Sequence, residues 1–418
     1  MKIPRGPQLD STLGLRTQGY ELIRNTCREL KSDVYEGRLL LQKTIFMMGE
    51  EAARLFYDKD KFQRSGAMPV RVQKTLIGVG GVQSLDGETH RHRKHLFVQQ
   101  LMSPEKIEVL QRIFHEELTT TASTWPHTSC LTLFPELQLV LCRAVCRWAQ
   151  VPLDDVEAKQ KSYDFGALIE SGGRVGPEHW KGRFARKRLE HWAAQLITAV
   201  RSGALRVTED SALYAVALHR DLNGELLPAK IAAVELLNIL RPTVAIARFI
   251  IFAALALHEH PEQENAVSDE ACLRMFVQEV RRFYPFFPQL AARVRSDFQW
   301  RGYHFPQGRR VILDLYGTNH DERSWEMPEM FNPQRFSHGE RQPFGFIPQG
   351  GGDYATHHRC PGEYITIALM QTFLRFMTQA ISYNVPRQDL TISLKKIPSL
   401  PASGFVIEKV RLMSETQA

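Results

Sequence analysis

A mainly α protein with small β-sheets is what this 418-residue sequence predicts. Apolar residues recur at helical spacing almost without interruption from Ser103 to Ile251,. Strand-type composition is confined to segments near the two ends, Val34 to Met48, Ala291 to Leu315 and Asp389 to Val410,. No repeat, low-complexity tract or linker divides the chain, so residues 1–418 read as one domain,.

The elements follow in order. A helix is expected from about Leu15 to Leu30. Val34 to Met48 reads as a strand pair, with Glu36-Gly37 as the turn-forming dipeptide,. Ser103-Pro104-Glu105 is a helix start: a side chain that caps, a proline at the first helical position and an acid in the first turn,. Leu131 to Trp148 and Trp180 to Val200 carry apolar residues three and four apart,. The basic run Lys181 to Arg188 reads as a solvated helix face rather than a nucleic-acid contact, with Trp180, Phe184 and Trp192 as the buried stripe behind it,. Ile231 to Leu257 is the longest apolar helix.

Composition narrows the function classes. Hydrophobic residues at 43% and charged residues at 24% exclude a largely disordered chain,. The longest uncharged apolar run, Phe249 to Leu257, has nine residues, where a membrane span needs about 20. Met1 to Pro7 has no apolar signal-peptide core, so no export and a cytoplasmic location are expected,. Six cysteines without a Cys-x-x-Cys pair suit neither a disulfide scaffold nor a zinc ribbon,. The formal charge of +7 permits anionic partners without choosing among them,.

Two glycine-rich stretches fail as nucleotide sites. Gly78-Val79-Gly80-Gly81-Val82-Gln83 lacks the last glycine of a dinucleotide fingerprint, and no Gly-Lys-Ser/Thr follows Gly350-Gly351-Gly352,. The second stretch instead leads through His357-His358-Arg359 to Cys360, with an apolar helical run from Ile365 to Phe376 behind it. A thiolate beside a cation and ahead of a helix is stabilised by both, so Cys360 is expected to ionise and to act as nucleophile or metal ligand. The other five cysteines read as inert core residues.

Arg359-Cys360-Pro361-Gly362 resembles the haem-ligand loop of the cytochrome P450 superfamily. Glu279-Val280-Arg281-Arg282 resembles its Glu-x-x-Arg pair, Asn319-His320-Asp321 its Asn-x-Asp turn, and Phe331 to Phe336 the segment whose arginine completes the pair's ion network. The resemblance implies the triangular helical prism of that fold, with haem b between a long distal helix and a proximal cysteine loop. Cys360 would be the axial thiolate, which favours O–O cleavage; Glu279, Arg282 and Arg335 would be structural. One departure stands out: Asp353 occupies the position, seven before the cysteine, where a phenylalanine is usual.

The distal helix departs further. Within it, Arg241-Pro242 sits in Asn238 to Ala245. A proline inside a helix costs about 3 kcal/mol and should push aside the Asn238 carbonyl. A buried arginine is costly unless paired. Either Arg241 pairs with a carboxylate such as Glu235, or it marks a site. Arg-Pro in place of an acid–alcohol pair resembles the fatty-acid peroxygenases of the superfamily, as do Phe62-Gln63-Arg64, Val82 to Gly87, His90 to Lys94 and the Gln349 to Gly352 loop.

That resemblance implies a long-chain fatty acid as substrate and hydrogen peroxide as co-substrate, with no redox partner, no nucleic acid and no stable membrane anchor. Arg241 would clamp the substrate carboxylate, which then serves as general base and acid. Arg64, His90 and Lys94 would meet the haem propionates; Pro242, Ala245, Ile77, Gln83 and Phe287 would shape the pocket. Gln83 stands where a decarboxylating relative has histidine, and it donates no proton near neutral pH; satisfying a backbone group is its other reading. A bulky Phe287 implies α- over β-hydroxylation. The competing readings are a terminal-alkene-forming decarboxylase, a monooxygenase fed by a reductase, and a colourless, salt-sensitive DNA-binding protein.

Overall fold

The computed structural model describes residues 1–413 apart from 173, 175, 265 and 340–342. A helix that is apolar on every face belongs in the interior. Here it comprises Ala229–Ala245 and Ala247–Glu259, and from Ala232 to Leu257 only Pro242 and Ala245 are not buried. The 31-residue stretch is long and apolar enough to cross a membrane, but 89% of its apolar window is buried inside the protein. Each fully buried Leu, Ile or Phe along it contributes about 1.5–3 kcal/mol. The helix is interrupted at Ile246, whose N–H donates to the Thr243 carbonyl at 3.1 Å. Pro242 removes one donor, and the break follows a turn later rather than at Asn238.

This distal helix packs under Pro177–Arg201, which forms a roof, and beside Leu133–Trp148; its second half rests on Glu363–Gln379. A five-stranded sheet lies to one side, built from β1 (Val34–Leu39), β2 (Gln42–Met47), β3 (Phe62–Gln63), β5 (Gln289–Val294) and β8 (Arg310–Asp314) in the order β1-β2-β8-β5-β3. Only β2 and β8 pair in parallel. A three-stranded sheet runs β4 (Cys130–Thr132), β10 (Val406–Leu412), β9 (Ile381–Asn384), and β6 (Phe298–Trp300) pairs with β7 (Tyr303–Phe305).

Several expectations need correction. The first helix is two, Ser11–Gln18 and Leu22–Glu29, because Gly19 takes φ +59° to let the Leu394 carbonyl approach. The hairpin turns at Leu40-Leu41, not Glu36-Gly37, which lies within β1. Leu40 and Leu41 hold positive φ, and their N–H groups donate to Thr12 Oγ1 at 2.8 Å and Asp10 Oδ2 at 2.7 Å. Distant side chains thus set the turn. Asp389 to Ser403 forms no strand beyond one bridge, Ile392 to Pro401, and β9 lies earlier than expected. Trp180 and Phe184 are 59% exposed, not buried with Trp192. The roof helix approaches its neighbour through Gly182, where a Cβ would stand 1.8 Å from Ser171 Oγ, and that close contact turns the aromatics outward.

Candidate active site

The proximal side is built first. Gly350 takes φ +94°, a conformation costly for other residues, and folds the loop back over Cys360,. The Cys360 N–H donates to the Gln349 carbonyl at 3.1 Å, and the Gln349 amide lies 3.8 Å from Cys360 Sγ. The helix Glu363–Gln379 begins three residues later. Burial pushes the Cys360 thiol up, outweighing the Gly362 N–H and Lys94, which favour the thiolate. Helix and cation alone do not offset that burial, whereas a bound metal deprotonates a coordinating thiol outright.

Ion pairs hold this loop in place. Glu363 accepts from Arg281, from Arg359 at 2.8 Å and from the Tyr354 hydroxyl at 3.0 Å. Glu279 and Arg282 form a fully buried bidentate pair, both bonds 2.7 Å, with Arg335 at 3.4 Å from the same carboxylate. Arg282 also donates to the Asn319 carbonyl at 3.1 Å, and Asn319 Oδ1 accepts from the Ile347 N–H at 2.9 Å. Asp353 caps its own turn through Thr356 N at 2.8 Å, which accounts for an acid in the phenylalanine position.

Beside the loop, Arg64, His90 and Lys94 come together. Arg64 stacks over Phe56 at 4.1 Å, His90 stacks on His358 at 3.9 Å, and Lys94 donates to the Arg359 carbonyl. His357 Nδ1 accepts from Asp353 N at 2.8 Å, so the two loop histidines pack and hydrogen-bond. Burial pushes His90 down to about 4 and Lys94 down to about 8. Asp86 is engaged by the backbone N–H groups of Arg64 and Ser65 at 2.9 and 2.8 Å. A cavity of about 360 Å³ opens here, lined by Arg64, His90, His357 and His358. Arg64 and Lys94 as buried cations, with the neutral His90 as a hydrogen-bonding group, fit a dianionic group, as the propionate edge of haem b is.

On the distal side, Pro242 and Ala245, three residues apart, share the one helix face left partly open,. Arg241 is 7% exposed and donates to the Leu76 carbonyl, next to Ile77. Among the described residues no carboxylate pairs with it. Burial, with the Arg186 guanidinium beside it, pushes Arg241 down to about 9. Glu235 is taken: Arg93 binds it at 3.1 Å and Asn238 at 3.0 Å. Asn238 Nδ2 also donates to Gln83 Oε1 at 3.1 Å, so Gln83 is tied to a side chain and not to a backbone group. Thr243, the hydroxyl following Pro242, donates to the Ile239 carbonyl at 3.0 Å.

Most predicted residues therefore gather in two clusters. Phe287 is 36% exposed and meets Phe286 edge-on at 6.2 Å. Sequence reasoning missed Arg186, Asn238 and Arg93 above the site and Gln349, Arg281 and Glu363 below it. Asn238, Arg93, Gln349 and Arg281 lie inside segments that carry the resemblance and Glu363 directly follows the cysteine motif, so position alone signalled them; Arg186 lay in the basic run read as a solvated face.

A half-buried cysteine ahead of a helix, a basic cluster beside it and a broken apolar helix define a haem-thiolate class of protein. The cytochrome P450 family model matches residues 256–408. Cytochrome P450SP alpha (CYP152B1) in complex with (R)-ibuprofen is 46% identical at a TM-score of 0.94, covering 96% of this chain and 99% of that one. Cytochrome P450EX alpha (CYP152N1) with myristic acid is 44% identical at 0.95, covering 99% and 100%. A cytochrome P450 OleT variant in complex with arachidonic acid is 33% identical at 0.96, covering all of both chains. The match to the first curated relatives spans only 28% of their length. The chain belongs to the cytochrome P450 family and, within it, to the CYP152 group of fatty-acid peroxygenases. Its cofactor is haem b with an axial thiolate.

Proposed function

We propose that this chain hydroxylates long-chain fatty acids with hydrogen peroxide, mainly at the α carbon, and that Arg241 is its carboxylate clamp. The observation that carries the reading is a buried arginine with no carboxylate among the described residues, one residue before a proline in the helix above the cysteine. Such a cation is costly until an anion arrives. Its planar fork matches a carboxylate better than any other partner.

The chemistry divides between cofactor and chain. Cys360, Arg64, His90 and Lys94 would hold haem b, which would supply peroxide activation and C–H hydroxylation when bound. The chain supplies placement and protons. No acid–alcohol pair stands free on the distal helix, since Glu235 is bound to Arg93 and Thr243 to the backbone. The clamped carboxylate takes that role: it accepts a proton from one peroxide oxygen and returns it to the other, which leaves as water. Pinning the head group beside Pro242 and Ala245 leaves Cα and Cβ as the reachable carbons, not the chain end. Gln83, fixed by Asn238, offers no proton to divert the product toward an alkene.

The reading extends to a single domain over 1–418, a cytoplasmic location, no reductase and no stable membrane anchor. Incubating the purified holoenzyme with myristate and peroxide, without reductase, should yield 2-hydroxymyristate by gas chromatography. Product only when a ferredoxin system is added would reject the peroxygenase reading. Short carboxylic acids should fill the clamp and permit peroxide-driven oxidation of substrates that lack a carboxylate.

A further inference from the structure

Arg186 is a second buried arginine, and the chemistry above does not use it. It lies on the roof helix and is 2% exposed. Its Nε meets Glu190 Oε1 at 2.6 Å, and Glu190 is partly solvated. Its Nη1 donates to the Leu76 carbonyl at 3.3 Å, the same oxygen that accepts from Arg241 Nη1. Its Nη2 is buried with no partner among the described residues. Gly78 makes the room: it holds φ +85°, and a Cβ there would stand 2.1 Å from Arg186 Nη2 and 2.5 Å from Val234 Cγ1. Any side chain at 78 would push the guanidinium out from between the loop and the distal helix.

Two like charges on one carbonyl form an odd arrangement unless one of them is due to leave. A carbonyl shielded from water that loses its only donor loses a hydrogen bond it cannot fully replace, and the Leu76 carbonyl is partly shielded. With two donors, Arg241 can turn its fork to an incoming carboxylate while Leu76 stays bonded. The neighbouring positive charge also disfavours Arg241 in its ligand-free position, and it attracts the incoming anion that offsets the repulsion.

We propose that Arg186 is a positioning residue for the carboxylate clamp, holding the Leu76 carbonyl so that Arg241 is free to bind the fatty-acid head group. The inference rests on the clamp reading given above. It predicts an effect on substrate binding, with little on the chemical step once substrate is held.

The test is optical titration of the ferric holoenzyme with myristate, comparing the wild type with Arg186→Met, Arg186→Gln and Arg241→Met, with KM and kcat measured alongside. Arg186→Met should weaken binding and raise KM about tenfold or more, with kcat nearly unchanged. Arg186→Gln keeps a donor for Leu76 without the charge and should recover most of that loss. A residue that only supported the fold would lower the reduced carbon-monoxide band and the melting midpoint instead; both should stay at wild-type values in Arg186→Gln. Arg186→Met binding within about twofold of wild type, or Arg186→Gln as weak as Arg186→Met, overturns the proposal. Undiminished binding in Arg241→Met overturns the clamp itself and this inference with it, so the two failures are told apart. Should Arg186→Met not retain haem, the comparison of Arg186→Gln with Arg186→Lys decides. Gln near wild type supports the carbonyl role, and Lys alone near wild type overturns it.

Discussion

The two sides of the site treat buried charge in opposite ways. Below the cysteine, Glu363 is shared by Arg281 and Arg359, and Glu279 by Arg282 and Arg335. Above it, Arg93 and Glu235 pair, while Arg241 has a carbonyl and a like charge for company. Charges neutralised in place make scaffold, because removing either partner strands the other. A charge left over marks where a ligand completes the balance. The contrast explains why the proximal motifs resemble a whole superfamily, whereas Arg241-Pro242 resembles one branch of it.

The largest effect that would test this contrast is on the scaffold side. Arg282→Met leaves Glu279 buried with a weaker partner and should destabilise the fold by about 3–5 kcal/mol, seen as a lower melting midpoint and loss of haem. Arg241→Met should do the reverse. It should retain the fold and haem while losing on the order of 10–10²-fold or more in kcat/KM for myristate, the worth of a charge-assisted carboxylate contact. If Arg241→Met unfolded the protein and Arg282→Met did not, the division would be drawn the wrong way round.

A third measurement uses acid. Burial alone would raise the Glu363 carboxyl, but Arg281 and Arg359 hold it below its ordinary value of 4.5. A carboxylate with a depressed folded pKa contributes stability that is complete above its unfolded pKa and is lost as the pH falls through the folded value. The melting midpoint should therefore decline as the pH drops below about 4.5. Glu363→Gln should start lower at neutral pH and show a shallower decline. The smallest effect belongs to Gln83→Leu: Asn238 keeps its bond to Glu235, so stability should fall by about 1 kcal/mol, and the ratio of α- to β-hydroxy product should shift more than the rate.

Legibility varied with the reach of the interaction. The Ser103 cap was readable because capping is local, and its hydroxyl accepts from Lys106 N at 3.3 Å as the tripeptide implies. The hairpin turn was not, since its stabilising acceptors come from Thr12 and Asp10. Trp180 and Phe184 carried the right helical spacing, but periodicity says which residues share a face and not which face meets the core. Phe287 was selected by resemblance alone, because a side chain that shapes a pocket leaves no local pattern in the sequence.

By itself the chain determined what is covalent or short-range: a cysteine just ahead of a helix, a proline that breaks an apolar helix, and an arginine beside it that water cannot easily reach. Whether that arginine was neutralised was decided only in three dimensions. Glu235, six positions away on the same helix, is claimed by Arg93 from 142 residues distant. Arg186 reaches the Leu76 carbonyl across 110 residues. The energy of a buried charge depends on which partners the packed elements bring within a few ångströms, and separation along the chain carries no record of that.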